Sequence, residues 1–354
     1  MKRIAVLGAG NSGLTMAAHL KLMGEEVRLW NRSKRNIQEL MMDRRIHMAG
    51  EVEGDVVLDR VTTDLGLAIQ DCEWILVTTP ATAHGDLARR LAPLVHDQQR
   101  IVLNPGRTFG ALEFERTMLD MGVEKLPIIL EAITNLYATR KVNQQEVQVH
   151  GIKQEVRFSA LHPENMEMAR ASLPQLLKER FVPVENMLFT SLGNVGMLLH
   201  CAPMLFNLGR VESETTSFRY YNEGITPSVA KYIEKINEEV LDLAKRLEIP
   251  IDPVDEWMRK TYGLSGETLY ECVQSNEVYR NILAPKTVET RYLLEDVPCG
   301  LVPIESLGHH MGLDMHHTGI IIDLAGAILE QDFRQSGRTL DKMGVSASDL
   351  QNYR

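Results

Sequence analysis

The two halves of the chain carry their apolar residues differently. In the first half they form short continuous runs, each closed by glycine, proline or a polar turn. In the second half they recur at three- and four-residue steps. The first run, residues 4–7, ends in Gly8-Ala9-Gly10-Asn11-Ser12-Gly13. A helical pattern over 14–23 follows, Gly24 closes it, and a second run covers 26–30. Continuous apolar runs suit strands buried on both faces of a parallel sheet. Further runs at 55–58, 74–79, 101–103 and 127–131 are separated by helical segments such as 86–94 and 112–121. That alternation predicts a doubly wound α/β sheet of the Rossmann type. Residues 146–152 and 155–161 read as two more strands, paired antiparallel. Residues 164–180 read as a helical segment interrupted at Pro174.

After about residue 186 strand signals fade. Thr226 caps a helix with Pro227 at its first position. Val229, Ile233, Ile236, Val240, Leu243 and Leu247 then line one face of it. Helices are predicted at 253–261, 266–273, 303–311 and 314–331. The organisation expected is a Rossmann domain over 1–185 and an all-helical domain over 186–354. At the start of the second lies the stretch 191–212, nearly all apolar from 197 to 208 apart from His200 and Asn207. Pro203 is expected to kink it. An imidazole in such surroundings needs a polar partner.

Size and charge narrow the picture. A chain of 354 residues, 44% hydrophobic and 24% charged, suits two ordinary globular domains. Its net charge of −10 argues against a nucleic-acid or anionic-membrane partner. The cysteines, Cys72, Cys201, Cys272 and Cys299, are scattered, as free thiols of a reducing, cytoplasmic setting would be. Lys2 and Arg3 before an apolar run imitate a signal peptide, but Asn11 and Ser12 break the run, which the glycine turn explains better. No run approaches the roughly 18 apolar residues of a membrane span. Residues 309–317, HHMGLDMHH, are rich in histidine, yet no cysteine or carboxylate completes a metal set by spacing, so no metal site is expected.

Strand, glycine turn and helix in the order G-x-G-x-x-G predict a dinucleotide site. Gly8 makes the turn, Gly10 leaves room for a pyrophosphate, and Gly13 lets helix and strand approach. With Asn11 and Ser12 these are the phosphate-side candidates, where the helix N-terminus offers free N–H groups. An NAD site calls for a carboxylate at the end of the second strand. Here that end reads Asn31-Arg32-Ser33, which suits a 2′-phosphate, so NADP(H) is favoured and NAD(H) stays open. Thr79 and Arg107 lie at later strand ends, Thr79 beside the cofactor and Arg107 as a candidate for a substrate carboxylate. The segment 284–300 mixes charged, apolar and proline residues and could carry Arg291 and Asp296 into a cleft. A carboxylate bonded to His200 would fix its tautomer.

Taken together, GAGNSG, LLHCAPMLFNLGRVE, YYNEGITPSVAKYIE and APKTVETRYLLEDVPCGLVPIESLG resemble the octopine/nopaline (opine) dehydrogenase family over almost the whole chain. The resemblance implies a Rossmann domain, a helical domain and an active site between them. It also implies reductive condensation of a 2-oxo acid such as pyruvate with the amino group of an amino acid. It places the catalytic histidine on His200, its aspartate partner on Asp296 and a carboxylate-binding arginine on Arg291. It matches a substrate-facing loop to residues 131–140, which makes Thr134 a further candidate. That loop lacks the proline the family places after its leucine, and Cys201 stands where the family carries proline. Two other functions fit the same architecture: an NADP-dependent reductase of 2-oxo acids to hydroxy acids, and a non-catalytic NADP(H)-sensing protein. The partners expected are the two small substrates, with a homodimer left open.

Overall fold

In the computed structural model, which describes residues 1–354, the chain divides into two compact units. The first comprises residues 1–191 and 351–354, the second residues 192–350. The strands of the first unit are β1 (Arg3–Leu7), β2 (Glu26–Trp30), β3 (Arg45–Gly50), β4 (Gly54–Val57), β5 (Arg60–Thr62), β6 (Trp74–Val77), β7 (Arg100–Leu103), β8 (Ile128–Ala132), β9 (Tyr137–Lys141), β10 (Glu146–Ile152), β11 (Val156–Ala160) and β12 (Phe181–Pro183).

Eight of these form a sheet in the order β12-β11-β8-β7-β6-β1-β2-β5. Neighbours from β5 to β8 run parallel, while β11 turns antiparallel against β8. Ile4 to Leu7, Trp74 to Val77 and Ile101 to Leu103 are all buried, because helices cover both faces of a doubly wound sheet. The chain reverses direction of travel about β1, with β2 on one side and β6 on the other. In such sheets the crevice beyond the carboxyl ends at this point is where ligands bind.

A second sheet, β4-β3-β10-β9, corrects the strand reading twice. The run at 55–58 belongs to β4, outside the Rossmann sheet. Residues 146–152 and 155–161 are strands but not partners: β10 pairs with β3 and β9, and β11 with β8 and β12. This small sheet packs on the helix Asn11–Leu22. Met48, Val147 and Val149 share one apolar core with Leu14, Ala17 and Ala18. His19 Nδ1 lies 3.1 Å from the Tyr137 hydroxyl at the same contact. Residues 137–141, expected as loop, are β9.

The second unit is built from helices. Its longest, Pro227–Arg246, starts at Thr226, whose hydroxyl accepts from the Val229 N–H, and buries Val229, Ile233, Ile236, Val240 and Leu243. The apolar stretch 191–212, expected as one kinked helix, begins in the last residues of the helix Met187–Leu192, which belongs to the first unit up to Ser191, and continues as two separate helices, Val195–Phe206 and Leu208–Val211. Pro203 lies inside Val195–Phe206. The break falls at Asn207, whose amide donates to the Pro203 carbonyl and to that of Gly224 at 2.9 Å each. Taken as a whole, Met187–Phe206 is long and apolar enough to cross a membrane by length and composition, contrary to the sequence reading. However, 72% of its most apolar window is buried inside the protein.

The first unit runs to Ser191, beyond the expected 185, because buried polar bonds hold the chain there. Thr108 Oγ1 donates to the Ser191 carbonyl, the Phe109 N–H to Ser191 Oγ, and Ser191 Oγ to Glu131. The last residues return to the same unit, where the Tyr353 hydroxyl donates to Glu115 at 2.8 Å.

Candidate active site

The glycine turn has the shape a pyrophosphate needs. Gly8 adopts φ +116°, a conformation side-chain-bearing residues rarely take. A Cβ on Gly13 would sit 1.8 Å from the Gly8 carbonyl oxygen, so only glycine allows this approach of helix to strand. A Cβ on Gly10 would meet nothing within 4 Å, so the space beside this residue is open. Gly10 caps that helix without any side-chain acceptor, so its first N–H groups are available to an anion. Thr79 Oγ1 and Asn104 Oδ1, just beyond the carboxyl ends of β6 and β7, are buried polar atoms with no hydrogen-bond partner. Buried polar groups are rarely left so, and both fit a polar ligand along this edge. The residues present therefore suit a dinucleotide.

The neighbouring candidates divide into braces and contacts. Asn11 Oδ1 accepts from the Lys141 N–H of β9, and Ser12 Oγ donates to Asn135 Oδ1 at 3.3 Å. Asn31 ties the turn together: its Oδ1 accepts from the Ala9 N–H and its Nδ2 donates to the Ser33 carbonyl. Arg32 is largely exposed, with only a long contact of 3.7 Å to Asp86, which Arg90 also engages. A guanidinium so weakly held is available for a 2′-phosphate.

In the helical unit His200 has its partner. It projects from Val195–Phe206, and its Nδ1 lies 2.7 Å from Asp296 Oδ2. Asp296 is 0% exposed and His200 retains 12% of its side-chain surface. The contact lies wholly within this unit. Nε2 lies 3.2 Å from the Tyr221 hydroxyl. Tyr292 stacks on the imidazole with ring centroids 4.1 Å apart, and Tyr220 donates to the His200 carbonyl at 2.6 Å. Burial pushes the Tyr221 phenol well above its usual range, helped by Tyr292 and opposed by Arg291. Tyr221 therefore stays an O–H donor at neutral pH.

Asp296 and Arg291 reach this place on adjoining short turns. Thr290 caps the helix Arg291–Leu294, and Asp296 starts the π-helical turn Val297–Leu301. Such turns are frequent at functional sites. Arg291 is exposed, has no ion-pair partner in the chain, and is close enough to Tyr221 and Tyr292 to oppose the rise that burial gives both phenols. Cys201, beside His200, donates to the Tyr292 carbonyl at 3.3 Å. Tyr221 and Tyr292 were not singled out from the sequence, although both lie in the quoted motifs.

Arg107 and Thr134 stand in the first unit. Arg107 follows β7 in the left-handed region, φ 62°, and is buried rather than solvated. Thr134 follows β8; its carbonyl accepts from Asn104 Nδ2 and its hydroxyl from Lys153 Nζ. Glu131, near the end of β8, is 0% exposed and holds the backbone together, accepting from the Ala111 N–H and from Thr190 and Ser191. The histidines of 309–317 are bonded separately, His310 to Ser306 and Asp341 and His317 to Glu239, and no three metal-ligating side chains converge.

A glycine-turn Rossmann unit joined to a helical unit carrying a buried histidine–aspartate pair defines an NAD(P)-dependent oxidoreductase. Comparison with known proteins is more specific. Residues 183–329 match the α-helical domain of NAD/NADP octopine/nopaline dehydrogenases, and residues 3–106 match the N-terminus of NAD-dependent glycerol-3-phosphate dehydrogenase. An opine dehydrogenase of Arthrobacter sp. (strain 1C) is 38% identical over 346 residues, covering 98% of this chain and 96% of that protein. A vitopine synthase of Allorhizobium ampelinum is 22% identical over 356 residues, covering 99% and 97%. Among solved structures, octopine dehydrogenase with NADH and L-arginine superposes with a TM-score of 0.82 at 18% identity, over 100% of this chain and 98% of that one. Yersinopine dehydrogenase with NADP+ bound superposes with a TM-score of 0.77 at 14% identity, over 99% and 97%. The chain belongs to the opine dehydrogenase family, whose members are NAD(P)-dependent oxidoreductases acting on CH–NH bonds.

Proposed function

We propose that this enzyme condenses a 2-oxo acid such as pyruvate with the amino group of an amino acid and reduces the resulting imine with NADPH, giving an N-(1-carboxyalkyl)amino acid. The observation that carries the reading is the His200 imidazole held between a buried carboxylate at Nδ1 and a phenol at Nε2, with the unpaired Arg291 guanidinium beside it. A simple keto-acid reductase needs one proton delivered. A condensation needs several moved: off the attacking ammonium, onto the carbonyl oxygen, and out with the departing water. An imidazole suits repeated donation and acceptance near neutral pH, and such help is typically worth about 10²–10⁴ in rate.

In this reading each residue has a distinct role. Arg291 binds the keto-acid carboxylate through its planar fork. With Nδ1–H donated to Asp296, the imidazole presents Nε2 to the reacting oxygen, and Asp296 stabilises the imidazolium whenever Nε2 takes a proton. Tyr221, whose hydroxyl lies 3.2 Å from Nε2, orients the ring. Gly8, Gly10 and Gly13 with the helix N-terminus hold the dinucleotide phosphates, Arg32 takes the 2′-phosphate, and Thr79 lies along the cofactor edge. The bound nicotinamide supplies the hydride that reduces the imine carbon.

The test is dependence on both substrates. NADPH oxidation should require keto acid and amino acid together. Full-rate oxidation with keto acid alone would instead favour a hydroxy-acid reductase. Cofactor binding without turnover across a panel of amino acids would favour a sensing protein.

A further inference from the structure

Lys141, the last residue of β9, stands where two turns of the first unit meet. Its N–H donates to Asn11 Oδ1 at 2.9 Å, and its Nζ donates to the Ala9 and Asn36 carbonyls at 3.2 Å each. Ala9 belongs to the glycine turn and gives its own N–H to Asn31 Oδ1. Asn36 ends the short turn Lys34–Asn36 that follows β2. The rest of the hairpin formed by β9 and β10 holds the lysine in this place. Thr139 Oγ1 lies 2.8 Å from Thr15 Oγ1 of the first helix, Gln144 Nε2 donates to the Arg35 carbonyl, and Gln144 Oε1 accepts from the Glu39 N–H. The Lys141 ammonium is therefore fixed by backbone carbonyls and not by a carboxylate. Burial lowers its pKa from the ordinary lysine value, and Glu39, which forms no ion pair with it, only partly opposes this.

An ammonium carries three N–H donors, and the two carbonyls use two of them. Carbonyls satisfy donors but leave the positive charge in place. In a Rossmann site the glycine turn holds the pyrophosphate, and the end of the second strand reads the ribose 2′ position. Lys141 is bonded to both segments. Asn31, the residue after β2, is committed to bracing Ala9 and Ser33, so a 2′-phosphate must find its counter-charge elsewhere. A phosphate monoester carries a charge of about −1.5 to −2 near neutral pH, more than the one guanidinium of Arg32 can balance. Lys34 and Arg35 are exposed, whereas Lys141 is half-buried and held by two bonds, so its charge is in place before a ligand arrives. We infer that Lys141 is the second cation of the 2′-phosphate subsite, and that the β9–β10 hairpin helps set the preference for NADP(H). The inference rests on the NADP(H) reading above and extends it to a strand outside the Rossmann sheet.

The experiment measures Kd for NADPH and for NADH by fluorescence titration, without substrates, in the wild type, Lys141→Gln and Lys141→Arg. Glutamine keeps N–H donors for the two carbonyls and removes the charge. Lys141→Gln should raise the NADPH Kd about tenfold or more, as loss of a charge-assisted bond does, and leave the NADH Kd near wild type. Lys141→Arg should keep most of the preference for NADPH. A lysine that only braced the two turns would weaken both cofactors alike when replaced. A measurement on the wild type keeps the idea testable should the glutamine variant fold poorly. Acetic anhydride labels accessible lysine amines, and mass spectrometry should find Lys141 shielded more by NADPH than by NADH. An equal rise in both Kd values, an unchanged NADPH Kd in Lys141→Gln, or equal shielding by the two cofactors would each overturn the assignment. A wild type that binds NADH more tightly than NADPH would instead overturn the NADP(H) reading on which it rests.

Discussion

Replacing Asp296 by asparagine removes one charge and almost no volume. In the wild-type protein Asp296 Oδ2 lies 2.7 Å from His200 Nδ1, and the carboxylate is 0% exposed. When the imidazole is protonated, the two charge centres are about 4 Å apart. At the effective dielectric near 20 that describes such sites, their attraction is about 4 kcal/mol. If all of it favours the protonated imidazole during turnover, its loss corresponds to about 10³ in rate. The asparagine side chain can still accept from Nδ1–H and recover part of this, so kcat should fall by about 10²–10³. NADPH binding should not move, since Gly8, Gly10, Gly13 and Arg32 belong to the other unit. The assay is steady-state kinetics with both substrates saturating, NADPH affinity by fluorescence titration, and the same measurements on His200→Ala and the double variant. Groups that act as a unit lose activity non-additively, so the double variant should be little worse than His200→Ala. A kcat within about threefold of wild type in Asp296→Asn, or losses that multiply in the double variant, would refute the pairing.

Three other outcomes follow from named contacts. Arg32→Ala should raise KM for NADPH about tenfold or more while barely changing KM for NADH, because only the former carries the phosphate a guanidinium would bind; a wild type that prefers NADH would refute this. Arg291→Lys keeps the charge but loses the fork, so keto-acid KM should rise clearly; kinetics equal to wild type would remove Arg291 from the site. His162 bonds Glu115 and lies against the Tyr353 ring at a tilt, and the Glu115 carboxylate raises its pKa above the ordinary histidine value. A raised folded-state pKa adds stability that is complete below the unfolded pKa and is lost as pH climbs through the folded one. His162→Phe should therefore lower Tm more at about pH 6 than at about pH 9, and a loss equal at both would show that the charge contributes nothing.

The legible parts of this chain are those where local pattern and chemistry coincide. Residues 4–30 combine continuous apolar runs with a glycine spacing that one steric problem explains, and a Cβ on Gly13 would indeed strike the Gly8 carbonyl. The helix at Pro227 declares itself by its cap and stripe. The His200–Asp296 contact spans 96 residues of sequence, which no periodicity can bridge, and the family resemblance rather than spacing pointed to it. What was missed follows a physical pattern. An apolar run does not name its partner, so the pattern alone puts 55–58 in the Rossmann sheet and pairs 146–152 with 155–161, whereas β4 and β10 belong to the second sheet and β11 to the first. The β3 sequence RIHMAG alternates with exposed polar residues and gives little apolar signal; β9, YATRK, is mostly polar. The apolar stretch at 191–212 hid its breaks, because Asn207 ends the helix through a side-chain bond to the Pro203 carbonyl that composition does not reveal. Lys141 looks like any strand-end lysine until the fold sets it against Ala9 and Asn36.

The central claim is that hydride ends on a carbon bonded to the donor's nitrogen. The most direct measurement is a turnover with keto acid, amino acid and NADPH deuterated at the transferring carbon, followed by mass spectrometry of the product. The account requires a single condensed product in which the two substrates have lost water and gained two hydrogens, one of them the deuterium, on the carbon derived from the keto group. Deuterium found in a 2-hydroxy acid, with the amino acid returned unchanged, would contradict it.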